Sequence, residues 1–182
     1  MTAASARKPA GRGVKDIDAK RLAQLNAGAP ALHLTECLAV DFAQLMQAVV
    51  PDVGAAGLEQ MRAAATAGIS RRMARAAGIL QAQLGADAFA RMAGHASDTV
   101  RGWACFMAGA APGLSLKQRL AWIQPLADDA HFGVREWAWL AVRPALAAEL
   151  DTSIALLRPW TTHPSEPVSY THLRAHETPE HL

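Results

Sequence analysis

Cysteine is scarce: Cys37 and Cys105 are the two in 182 residues. Two thiols cannot build a disulfide framework and point to reduced cysteines in a cytoplasmic protein. Aromatic residues make up 5% of the chain, and no useful length of it alternates apolar and polar residues with a period of two. Strands are therefore not expected. No apolar run approaches a membrane span, and none follows the basic start closely enough to make a signal peptide. The net charge is only +2, so a nucleic-acid partner has to be argued from local clustering rather than from the total. What the chain does have is alanine, within an apolar share of 51%. That composition favours helices packed closely through small side chains, in one domain with a substantial core.

Residues 1 to about 15 carry Arg7, Lys8, Arg12 and Lys15 and read as a mobile basic arm. Residues 16–167 read as helix upon helix. "DIDAKRLAQLN" is amphipathic. "LTECLAVDFAQLMQAVVP" is expected to be one helix capped by Thr35 and ended by Pro51. "GLEQMRAAATAG" and "SRRMARAAGILQAQLG" follow, each closed by glycine, with Ser70 available as a cap, and "ADAFARMAGH" is another short helix.

From Asp98 the chain repeats itself. Residues 98–131 and 132–165 align without a gap, matching at Val100/Val134, Arg101/Arg135, Trp103/Trp137 and Ala104/Ala138. Ala111/Ala145, Leu116/Leu150, Ala121/Ala155 and Pro125/Pro159 match as well. A gapless period of 34 (132 − 98) in a helical chain predicts a solenoid of helix pairs. Tetratricopeptide repeats share this period but want a large apolar residue eight places before the late proline, where Lys117 and Asp151 stand. "HASDTVRGWA" and "DDAHFGVREWA" instead resemble the second helix of a HEAT-like repeat, so the expected fold is an all-α, right-handed solenoid.

The period also bears on the ending, "SYTHLRAHETPEHL". His172 and His176 stand four apart with Glu177 beside them, which is zinc-like spacing on a helix. The repeat asks for arginine at 169 and a small residue at 172, where Ser169 and His172 stand. Residues 168–178, "VSYTHLRAHET", are similar to one translated frame of a transposase-type sequencing adaptor. Residues 168–182 are thus expected to be a non-native tail that breaks off a new repeat and leaves an uncapped apolar face, and no metal site is assigned to them.

On a helix from Phe132 to Arg143, Val134, Trp137, Ala138 and Ala141 share one face, while Arg135, Glu136, Trp139 and Arg143 fall opposite. Residues shared by both copies serve the repeat; those special to one copy are candidates for function. Glu136, Trp139 and Arg143 are special, standing where the first copy has Gly102, Cys105 and Gly109. A half-exposed tryptophan beside a carboxylate and arginines offers a stacking plate, charge stabilisation and phosphate contacts. Arg101, Lys117 and Arg119 extend a basic stripe or are solvated surface charges.

"SDTVRGWA", "PLADDAHFGVREWAWLAVRP" and "SIALLRPWTTHPSEP" resemble the DNA alkylation repair family, HEAT-like-repeat alkylpurine DNA glycosylases of the AlkC/AlkD type. The resemblance covers about residues 95–167. It implies duplex DNA with alkylated bases as the partner, no cofactor and no metal. The implied reaction is hydrolysis of the N-glycosidic bond of cationic bases such as 3-methyladenine. A cationic base is already a good leaving group, so what remains is to stabilise an oxocarbenium-like sugar and place a water. The resemblance carries Glu136 over as the carboxylate and Trp139 as the aromatic contact, with Arg101, Arg135 and Arg143 as phosphate contacts. A non-catalytic HEAT-like scaffold that binds DNA or protein is the rival expectation.

Overall fold

The computed structural model describes residues 13–85 and 87–168. Nearly all of the basic arm, and the tail beyond Val168 with its histidines, lie outside the described residues. Those described are all-helical, with no strand among them. No helix among them is long and apolar enough to cross a membrane.

A 3-10 turn at Val14–Asp16 leads into α1 (Ala19–Asn26), which Asp18 caps by accepting the Arg21 N–H at 2.9 Å. The single helix expected from Thr35 to Pro51 is two, α2 (Leu34–Ala39) and α3 (Phe42–Val49). Thr35 lies inside α2, and His33 holds its N-cap position. The break comes at Val40 (φ −56°, ψ 127°), where Asp41 restarts the helix by accepting from the N–H groups of Ala43 and Gln44 at 2.9 and 3.1 Å. A carboxylate that satisfies two otherwise orphaned donors outcompetes continuation of the helix. Next come α4 (Ala55–Ala63), α5 (Ile69–Leu84) and α6 (Ala88–Ala93). Ser70 lies within α5, whose N-cap is Gly68.

The helices α7 (Asp98–Ala110), α8 (Leu116–Ala127), α9 (Phe132–Ala148) and α10 (Leu150–Leu157) complete the order, with a 3-10 turn at Arg158–Thr162. Ser115 and Gln118 form a reciprocal capping box at the start of α8. The most extensive contact in the molecule is α7 against α9; α7 also packs on α5 and α6, and α8 on α9 and α7. Glycine makes the α7–α9 contact possible. A Cβ on Gly102 would stand 2.5 Å from Trp137 Cε3, and one on Gly109 would run into the backbone of Ala141.

The 34-residue offset recurs atom by atom. Val100, Val134 and Val168 are fully buried, as are Ala104 and Ala138. Burying each valine is worth roughly 1.5–3 kcal/mol. His95, Asp129 and His163 each accept the backbone N–H two residues on, at 3.0, 2.7 and 3.1 Å. Arg101 Nη1 donates to the carbonyls of His95 and Ala96 (2.8 and 2.7 Å), and Arg135 Nη1 donates to those of Asp129 and Ala130 (2.6 and 3.0 Å). Each arginine thus ties its helix to the turn before it, which is why Val-Arg recurs as a pair.

Candidate functional site

Along α9 lie Arg135, Glu136, Trp139 and Arg143, while Arg101 lies on α7. Glu136 is exposed, and Arg135 and Arg143 are half-buried. Glu136 and Arg143 are seven residues apart, about two turns, and so lie on one side of α9. Their counterparts Gly102 and Gly109 are the points where α7 touches α9. The charged pair therefore occupies the side of α9 that corresponds to that contact.

Trp139 is not half-exposed; it retains only 6% of its accessible surface. A single-stripe helical wheel fails here because α9 is covered by α7 and α8 and also contacts α10. Several neighbours widen the buried arc until it includes position 139. Cys105, its counterpart, is buried as well, with its thiol 3.8 Å from the Val134 carbonyl oxygen. Trp139 is a packing residue, so the stacking role expected of it does not hold.

Arg101 is also committed to the fold. Its Nε and Nη2 donate to the two carboxylate oxygens of Asp129 at 2.6 and 2.9 Å, while Nη1 serves the carbonyls named above. Both side chains are largely sheltered from water, so this bidentate pair is stronger than an exposed one. Four of the five Arg101 N–H groups are thereby spent inside the protein. Arg135 spends one nitrogen on carbonyls. Arg119 Nη1 donates to the carbonyls of Ala108 and Gly109, where the end of α7 needs partners. Lys117 is exposed.

A second cluster lies beside these residues. Cys37 from α2, Asp98 from α7 and His131 at the start of α9 bring a sulfur, a carboxylate oxygen and an imidazole nitrogen within 4.8 Å of one another. Such a donor set suits zinc in type. The bonds already made there argue for a clasp instead. Asp98 Oδ1 accepts the Ala31 N–H at 2.7 Å and Oδ2 faces the Cys37 thiol at 3.6 Å. His131 Nδ1 accepts the Gly133 N–H at 3.1 Å, and Nε2 lies 3.0 Å from the Ala31 carbonyl oxygen. With Nδ1 accepting, the ring proton belongs on Nε2, donating to Ala31. A metal at Nδ1 would displace that cap.

Burial and the neighbouring Asp98 carboxylate push the Cys37 thiol up to about 12, far from a reactive thiolate. Burial pushes Cys105 up as well. Glu36, next in the chain to Cys37, is held down to about 2 by its two hydrogen bonds from Arg21, both 2.7 Å. Cys37, Asp98 and His131 are far apart in sequence, so spacing could not reveal their cluster. The zinc-like spacing seen in the sequence, at His172 and His176, lies outside the described residues. No family model matches the chain, and no curated protein or solved structure is significantly similar to it.

Proposed function

We propose that the chain is a HEAT-like helical-repeat protein of the DNA alkylation repair type, built as a right-handed solenoid that binds duplex DNA. The observation that carries this reading is the paired use of Arg101 and Arg135, 34 residues apart (135 − 101), within the segments "SDTVRGWA" and "HFGVREWAWLAVRP". These are the segments in which the resemblance to the family resides. Glu136, exposed on α9, is the carboxylate for an oxocarbenium-like sugar, and Arg143 on the same side is the phosphate contact. Alkylated purines, already cationic, need no strong general acid, which suits an open helical surface.

The test is release of 3-methyladenine from alkylated duplex DNA. Wild-type protein should release the base, and Glu136→Gln should lose at least tenfold in rate while melting at the same temperature, since the residue is exposed. No release by the folded wild type would overturn the enzymatic reading. A second reading, a non-catalytic scaffold that binds DNA or protein, is favoured by the burial of Trp139 and by the commitment of Arg101 to Asp129 and to the turn before α7. Salt-dependent DNA binding with no base release would select it.

A further inference from the structure

A groove of about 600 Å3 runs along α5 beside α4. Arg71 and Arg75, four residues apart and both exposed, stand on its α5 wall, and Gln60 of α4 and Gln83 contribute amides. No carboxylate lines it. Its α5 side is otherwise mostly small, with Ala74, Gly78 and Ala82 at successive turns; a Cβ built on Gly78 would meet nothing within 4 Å. A chain of phosphates can therefore approach the helix closely beside two positive side chains.

These two arginines differ from the others nearby. Arg21 is paired with Glu36, Arg62 with Glu59, Arg91 with Asp52 and Arg101 with Asp129. Arg72, between them in sequence, turns inward: its guanidinium lies 4.7 Å over the Phe42 ring and donates to the carbonyls of Val40 and Leu38. Among the described residues Arg71 and Arg75 make no ion pair. Their positions differ by about 6 Å along the helix axis, within reach of neighbouring phosphates on one strand.

We infer that the α4–α5 groove is a phosphodiester-binding site that grips the backbone of duplex DNA through Arg71 and Arg75. This inference rests on the DNA-binding reading above and adds to it a second contact region, built from residues other than Glu136 and Arg143. Binding there is independent of sequence, because phosphates carry no base identity.

The experiment titrates the full 182-residue chain with unmodified duplex DNA across a range of salt concentrations. Arg71→Ala/Arg75→Ala should weaken binding about tenfold at 0.1 M salt and lower the slope of log K against log salt by about two, one per lost contact. Arg71→Lys/Arg75→Lys, which keeps the charges, should restore most of both. Because the two side chains are exposed, unchanged circular dichroism is expected for both variants. Unchanged affinity and slope in the alanine variant would overturn this inference alone. A wild-type chain that binds no duplex DNA would bring down the parent reading with it. Binding to phosphatidylserine vesicles but not to duplex DNA would assign the groove to lipid headgroups and likewise overturn the inference.

Discussion

The two copies of the helical pair are nearly the same in sequence register and quite different in what surrounds them. In the first, Leu116 and Leu120 of α8 each keep 4% of their surface exposed; in the second, their counterparts Leu150 and Ile154 of α10 keep 59% and 50%. Burial of α8 comes from packing against both α7 and α9, whereas α10 contacts α9 and the 3-10 turn that follows it. The same contrast separates Gly102 and Gly109, pressed against α9, from Glu136 and Arg143. Identical positions in a repeat thus carry different energies, because a repeat cannot bury its apolar face without a neighbour on each side.

Substitutions made in matched pairs break or sharpen this comparison. The largest difference is expected at the helix crossing. Gly109→Val forces a side chain into the Ala141 backbone and should cost about 4 kcal/mol in urea denaturation, whereas Arg143→Val should change stability by less than about 1 kcal/mol. Equal losses would mean that α9 is as tightly faced as α7. A somewhat smaller gap is expected for the apolar pair. Leu120→Ala should cost about 3 kcal/mol and Ile154→Ala about 0.5 kcal/mol or less. If Ile154→Ala is as costly as Leu120→Ala, the α10 face is covered in solution.

The smallest difference isolates one ion pair. Arg101→Met and Arg135→Met each remove two equivalent carbonyl contacts, but only the first leaves the sheltered Asp129 carboxylate without its bidentate partner. Arg101→Met should therefore be the more destabilising by about 2 kcal/mol in paired thermal melts. An equal loss would show that Asp129 finds another donor.

Much of the helical register was legible in the sequence, because the repeat acts through side chains that pack locally. Val100/Val134, Trp103/Trp137 and Ala104/Ala138 were recognisable as a seam, and all six are buried. What escaped was set by neighbours distant in sequence. Trp139 falls on the polar side of a single wheel, yet α9 is enclosed by more than one partner. Arg101 looks like a surface cation until Asp129, 28 residues later, is placed against it. The Asp41 cap was hidden because apolar residues continue on both sides of it. Glu136 and Arg143 were separable from the seam as residues special to one copy, but the exposure of each depends on contacts that periodicity does not encode. That Arg71 and Arg75 make no ion pair among the described residues, while Arg21, Arg62, Arg91 and Arg101 do, depends on tertiary contacts that the sequence does not display.

The clasp at Ala31 has a consequence for how the chain is born. Its bonds join residues 67 and 100 positions apart, to Asp98 and His131 respectively. A ribosome builds the chain from the amino end, so Ala31 emerges before both of its anchoring partners exist. Cys37 and Phe42, sealed in the finished molecule, spend that interval in contact with water or a chaperone. Native docking of the amino end is therefore completed only after synthesis has passed His131.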